Sequence, residues 1–87
     1  MIYTVGKTSL YESYFRDQPE VVKSVGGSVW KNKIDAERYL VYNDLEEEYG
    51  IYAVDADWEK DTEKVSNCEW RKLVRPARLV KYIRNSS

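Results

Sequence analysis

Residues 51–58 read IYAVDADW, and this stretch decides the expected fold. Its even positions are all apolar, while its odd positions become acidic at Asp55 and Asp57. Successive side chains of a β-strand point to opposite faces, so a period of two predicts a strand with one buried face. We therefore expect the apolar side chains to be buried and both aspartates to face water.

The segment 77–83, ARLVKYI, is the expected neighbour of this strand. Its Arg78 and Lys81 would lie across the sheet from the aspartates, and opposite charges on adjacent strands stabilise one register over others. The segment is best interpreted as a final strand, with a helix as the alternative.

Five further elements extend outward from the first strand. They are a strand at 2–5, a short helix opened by Ser9 and Glu12 at capping-box spacing, a strand at 28–31, a helix at 33–42 capped by Asn32, and one helical turn made by Trp70, Leu73 and Val74. Residues 59–69 are expected to form a polar loop. This order, β-α-β-α-β-(α)-β, predicts an α+β domain. Its sheet would be twisted, mixed or antiparallel, with three or four strands and two helices packed on it.

Composition indicates a single globular domain over residues 1–87, with 84–87 as a flexible C-terminal tail. The 87 residues are 43% apolar and 33% charged, typical of a folded chain. No apolar run approaches the ~20 residues that span a bilayer, and the start of the sequence lacks the pattern of a signal peptide. The single Cys68 cannot form an internal disulfide. We expect a soluble, cytoplasmic protein that does not engage a membrane.

The sequence contains no histidine. This excludes Ser-His and Cys-His nucleophile pairs, His-ligated zinc and an imidazole proton shuttle. An enzyme would have to use carboxylates, Lys, Tyr or a bound cofactor. The composition thus favours a protein without catalytic activity, and no cofactor is implied.

Four acids follow one another at every second position. They are Asp55, Asp57, Glu59 and Asp61. This spacing matches the first four ligand positions of an EF-hand calcium loop, but Lys60 stands where that loop needs glycine and Ser66 where it needs a bidentate glutamate. A looser Mg²⁺ site would use Asp57, Glu59 and Asp61. The solvent face of a strand explains the acids better, so no metal site is predicted.

Charge is unevenly distributed along the chain, whose net charge is −1. Residues 44–69 hold ten of the fifteen acids against two lysines, whereas residues 70–84 hold six basic residues and no acid. Basic residues interleaved with Trp70 and Tyr82 are typical of single-strand nucleic-acid binding. The acidic balance of the whole chain argues against it, and neutralisation of the acidic middle explains the same residues. Nucleic-acid binding through 70–84 is the third hypothesis.

The leading hypothesis is that the protein is a binding module that engages a protein partner. It rests on the content of aromatic residues. Three Trp and eight Tyr in so small a domain cannot all be buried, and exposed Trp, Tyr and Arg dominate binding energies at interfaces. The candidate contact residues are Gly26, Gly27, Trp30, Trp58, Trp70, Arg71 and Arg75. The second hypothesis is a small-molecule or nucleotide site between 26–30 and 55–61, where paired glycines allow close approach of a ligand. The oligomeric state is not predicted.

Two segments carry a family resemblance. GGSVWKNKIDAERYL (26–40) and YGIYAVDADWEKDT (49–62) resemble a family of small bacterial and phage proteins that share a GGSVW turn, an A-x-x-YL helix and a Y-G-I/V-Y-x-V-x-ADWE-x-DT segment. The resemblance covers 26–62 and implies one compact domain without implying an activity.

A more distant resemblance is to ADP-ribosyltransferase-like folds, through a first strand, a G-x-W/F turn, an A-x-x-Y helix and a Y-x-V strand. Those enzymes hold NAD with a His or Arg on the first strand and use a late Glu. Here the strand offers Tyr3 and Thr4 with Lys7 after it, and no catalytic Glu can be matched. The resemblance implies a reduced relative that binds a NAD-like nucleotide without transferring it.

Overall fold

The computed structural model describes residues 1–18 and 27–84, which form six strands and two short helices. The strands are β1 (Ile2–Lys7), β2 (Ser28–Trp30), β3 (Tyr49–Asp55), β4 (Thr62–Lys64), β5 (Arg71–Leu73) and β6 (Arg78–Ile83). The helices are α1 (Thr8–Leu10), which continues as a π-helical turn (Tyr11–Phe15), and α2 (Lys33–Tyr42).

All six strands form one sheet in the order β4-β5-β2-β1-β3-β6, and every neighbouring pair is antiparallel. The centre is β1, which pairs with β3 along its whole length and with β2 through Tyr3 opposite Trp30. Because β2 and β3 each pair antiparallel with β1, they lie parallel to each other on either side of it, and α2 connects them.

Both faces of the sheet are covered, each by one helix. On one face the π-helical turn packs Phe15 against Tyr52 and Val54. On the other, α2 packs Ala36 and Leu40 against β1, β2 and β3. Neither face of β3 is exposed to solvent, which explains why its residues 51–54 are all buried.

The expected α+β fold with three or four strands is wrong, because the protein is predominantly β with a six-stranded antiparallel sheet. The two missed strands are β4, which lies in the expected polar loop, and β5, which replaces the expected helical turn at residues 70–74. They form an antiparallel hairpin in which Thr62 lies opposite Leu73. The pairing of β5 with β2 adds this hairpin to the sheet, and nothing local in the sequence encodes that contact.

Several single elements agree with expectation. The helix at 33–42 is confirmed, although the side chain of Asn32 makes no capping hydrogen bond. The strand interpretation of 77–83 is confirmed for residues 78–83, and β6 pairs with β3 so that Arg78 lies opposite Asp55, as expected, whereas Lys81 lies opposite Ala53. The first helix begins at Thr8 without a side-chain cap, so the expected capping box is wrong. Residues 85–87 of the expected tail lie outside the described residues.

Candidate functional site

Helix α2 carries apolar side chains on the side that faces away from the sheet. Ile34 and Val41 are seven residues apart, which places them two turns apart on the same side of a helix, and Tyr42 adjoins them. Their exposed fractions are 53%, 61% and 91%. We call Ile34, Val41 and Tyr42 the outer stripe. It is opposite the face on which Ala36 and Leu40 enter the core.

Two shallow hollows adjoin the outer stripe. One, of about 500 Å³, is lined by the stripe together with Glu37 and Arg38. The other, of about 360 Å³, lies between α2 and the segment before β5, where Tyr39 and Tyr42 face Trp70. The two hollows share Arg38 and Tyr42, so a surface of aromatic and polar residues continues from the helix toward Trp70.

Two ion pairs along α2 neutralise the charged side chains that lie among the residues of the outer stripe. Lys33 Nζ lies 3.4 Å from a carboxylate oxygen of Glu37, and Arg38 Nη1 lies 3.8 Å from Asp35 Oδ1. Both pairs are at helical i,i+4 or i,i+3 spacing and are largely exposed, so each adds little stability. Glu37 and Arg38 lie in the turn between Ile34 and Val41, so the surface of the outer stripe is mixed, and the ion pairs balance its charges.

The acidic stretch forms a tight turn after β3. The Asp57 carboxylate accepts hydrogen bonds from the backbone N–H groups of Glu59 and Lys60, both at 2.8 Å, and the backbone N–H of Asp57 donates to Asp61 Oδ2 at 2.9 Å. These hydrogen bonds, first that of Lys60, lower the pKa of the Asp57 carboxyl. The carboxylates of Asp57 and Asp61 therefore accept hydrogen bonds from backbone N–H groups of the turn and stabilise its conformation.

Two arginines of the 70–84 segment pair with this turn. Arg71 Nη1 donates to the carbonyl oxygen of Trp58 at 3.1 Å and lies 3.6 Å from Glu59, while its guanidinium carbon lies 4.8 Å above the Trp58 ring. Arg75 lies 3.3 Å from Asp61 Oδ1. The acids and cations neutralise one another, as the charge pattern indicated. Arg71 also covers a face of Trp58, which is thereby less available to a partner.

The metal candidates Asp57, Glu59 and Asp61 thus lie in one turn. Within residues 1–18 and 27–84, no three side chains of the types that ligate metals gather into a metal-binding cluster.

The candidate contact residues are only partly brought together. Trp58, Arg71 and Arg75 meet at the turn just described. Trp30 is 4% exposed and belongs to the core under α2, where it contacts Tyr39. Trp70 is half-buried beside the second hollow. Gly27 precedes β2 with a positive φ of 78°, and Gly26 lies outside the described residues.

The basic residues of 70–84 do not form one continuous surface. Arg71 and Lys72 lie on β5, whereas Arg78 and Lys81 lie on β6 at one edge of the sheet. Strands β2, β1 and β3 separate β5 from β6, which at ~4.8 Å per strand places the two groups roughly 19 Å apart. The basic residues on which the third hypothesis rests are therefore divided between two regions of the sheet.

Sequence reasoning missed the outer stripe, although α2 carried a signal for it. A half-buried helix needs one apolar stripe, and the pattern at Ala36, Tyr39 and Leu40 supplied it. The helix has more apolar and aromatic residues than this core-facing stripe needs. The additional residues are Ile34, Val41 and Tyr42, and their presence indicates a second contact surface.

Comparisons of the chain with models of known protein families, with curated proteins and with solved structures gave no match in any of the three. In the part of the chain that the structure describes, neither helix has the length and apolar content needed to cross a membrane.

Proposed function

We propose that this protein is a non-catalytic interaction module that binds a protein partner through the outer stripe of α2. The observation that carries the proposal is the exposure of Ile34, Val41 and Tyr42 on one side of α2, where they line the same hollow. Exposed apolar residues are ordinary when scattered, but these three line one hollow together with Glu37 and Arg38, and such a mixed apolar and charged surface is typical of a transient contact surface. Tyr42, whose hydroxyl and ring suit both water and an apolar partner, is the expected anchor.

The size of the surface indicates the kind of partner. A ten-residue helix is about 15 Å long, so the stripe and its two hollows supply less than the ~800 Å² per partner typical of stable complexes. We therefore assign the surface to a transient complex with a different protein that presents an apolar helix or loop. The balanced ion pairs on α2 supply no excess charge to select a strongly charged partner.

A photoreactive amino acid at position 42 tests the proposal by cross-linking the partner in cells. The captured protein is identified by mass spectrometry, purified, and its Kd for the unmodified chain is measured by calorimetry. We expect Val41→Ser to raise Kd at least tenfold, because it places a hydroxyl in the apolar contact. The matched control is Val74→Ser, a valine with 42% exposure outside α2, which should leave Kd unchanged.

Equal Kd values for the unmodified chain and Val41→Ser would overturn the proposal. Cross-linking of position 42 to a second copy, with a dimer mass in solution, would overturn the assignment to a different protein. Both valines are largely exposed, so each substitution should change the free energy of unfolding by no more than about 0.5 kcal/mol.

A further inference from the structure

Strand β6 is at the edge of the sheet, and one side of its backbone has no neighbouring strand among the described residues. It is six residues long, twice the length of β4 at the other edge. A hollow of about 390 Å³ runs along β6, lined by residues 78–82 of the strand and by Tyr11, Phe15 and Arg16. An edge strand presents free N–H and C=O groups that can pair with an added strand.

A β-bulge in β6 brings Arg78 and Lys81 to the same face of the sheet. Ala53 lies opposite Lys81 and Val54 opposite Leu79, so Val80 is the extra residue. Because residues opposite each other share a face, Arg78 and Lys81 lie on the face of Asp55 and Ala53, although regular alternation would separate them.

The other face of β6 is apolar. Leu79 and Tyr82 lie on it opposite Val54 and Tyr52, and they join the core cluster that contains Phe15. The edge therefore has two cations on one face and apolar residues on the other.

The charges along β6 indicate which kind of segment would pair with this edge. Among the described residues no ion pair involves Arg78 or Lys81, or Arg16, a third cation that lines the hollow beside Phe15. A second copy pairing edge to edge would bring the same cations together, and like charges on adjacent strands are destabilising. A strand that alternates acidic and apolar residues would face the cations with one set of side chains and the apolar side with the other.

Nucleic acid fits this edge less well. Tyr11 and Tyr82 are already stacked on each other, with ring centroids 4.3 Å apart, which occupies a face of each ring. A phosphate backbone also lacks the N–H donors that would pair with the free C=O groups of β6. We propose that the edge of β6 binds an extended protein segment of alternating acidic and apolar residues by strand addition. This proposal is independent of the outer stripe.

Fluorescence anisotropy of labelled octapeptides tests the proposal on the intact chain. The probe alternates Glu and Val, and its matched control has the same composition as a block of four Glu followed by four Val. A second control carries N-methyl groups on alternate backbone nitrogens, which removes donors without changing charge. We expect the alternating peptide to bind at least tenfold more tightly than either control.

The double variant Arg78→Glu with Lys81→Glu reverses the charge of the edge. It should bind the Glu-Val peptide at least tenfold more weakly and gain affinity for an alternating Lys-Val peptide. Equal binding of the block or N-methylated peptide would overturn strand addition, and so would the absence of binding by the Glu-Val probe. Tighter binding of an eight-nucleotide single-stranded DNA would assign the edge to nucleic acid instead. The peptide series uses the unmodified chain, so these outcomes are decisive even if the double variant does not fold.

Discussion

The ring of Tyr82 lies directly across Gly50, so closely that a Cβ atom at position 50 would be 2.5 Å from Tyr82 Cε1 and 2.6 Å from its hydroxyl oxygen. The ring is held in place because it stacks on Tyr11 at 4.3 Å and its hydroxyl lies 2.6 Å from Thr8 Oγ1. Gly50 is thus the residue that allows β3 and the tyrosine cluster to approach each other.

Gly50→Ala should therefore lower the free energy of unfolding by about 1–3 kcal/mol, as overpacking does in well-packed cores. Urea denaturation measures this cost. In a Tyr82→Ala background the same glycine substitution should cost much less, because the obstructing ring is gone. An equal cost in both backgrounds would show that Tyr82 is not the reason for glycine at position 50.

Tyr52→Phe should destabilise the protein and change its behaviour in alkali. The buried hydroxyl donates to the Lys7 carbonyl oxygen at 2.7 Å, and losing such a bond costs about 0.5–1.5 kcal/mol. Burial, and then the neighbouring Tyr82, raise the pKa of Tyr52 to about 12. The unfolded chain ionises near ~10, so this residue's contribution is complete below that pH and is lost as pH rises toward about 12.

The difference in unfolding free energy between the unmodified chain and Tyr52→Phe should consequently shrink from pH 9 to pH 12. Urea titrations at a series of pH values measure it. A difference that stays constant over this interval would contradict the raised pKa.

Asp57→Ala should lower the unfolding midpoint at neutral pH, because two backbone N–H groups lose their acceptor. The pKa of Asp57 is lowered in the folded protein, so the carboxylate stabilises it above the unfolded pKa of ~3.9 and ceases to do so as pH falls through the lower, folded value. The midpoints of variant and unmodified chain should converge in acid. Asp17→Ala, at an exposed carboxylate outside the turn, is the control and should leave the midpoint at neutral pH unchanged.

Arg71 and Arg75 provide a comparison between a covered and an exposed arginine in the same turn. The Arg71 side chain is 22% exposed and the Arg75 side chain 67%. Arg71→Ala removes a charged hydrogen bond to the Trp58 carbonyl and the contact with its ring, so we expect a loss of about 2 kcal/mol. Arg75→Ala should cost less than about 1 kcal/mol. Thermal unfolding of both variants checks the order, which a larger cost for Arg75 would contradict.

The local patterns predicted the long elements well and the hairpin of β4 and β5 poorly. The period of two at 51–58 predicted a strand there, but β3 ends at Asp55, its residues 51–54 are buried on both faces, and Asp57 lies in the turn that follows and not on the solvent face of the strand. At 70–74 the spacing of Trp70, Leu73 and Val74 fits one turn of helix equally well over so short a span. In the structure Trp70 and Leu73 pack in clusters on opposite faces of the sheet. Residues three apart point to opposite faces in an extended chain, whereas in a helix they lie on the same side.

The candidate site was predictable only in part, for a related reason. The neutralisation of Glu59 by Arg71 and of Asp61 by Arg75 follows from charge complementarity, which the sequence displays. The burial of Trp30 and the exposure of Tyr42 depend instead on where α2 lies on the sheet. That placement is decided by contacts between distant segments, so composition indicated exposed aromatic residues without identifying which ones.

The strands are paired over different lengths, so some parts of the sheet should unfold locally more readily than others. β1 is joined to β3 by a register that runs from Ile2 opposite Val54 to Lys7 opposite Tyr49, whereas the register of β5 with β2 spans only Ser28 and Val29. Amide hydrogens of the β4–β5 hairpin should therefore exchange with deuterium through local detachment, at a free energy below that of global unfolding. Those of β1 and β3 should exchange only when the whole domain opens. The acidic turn would then detach together with Arg71 and Arg75, while β1, β3 and β6 stay folded.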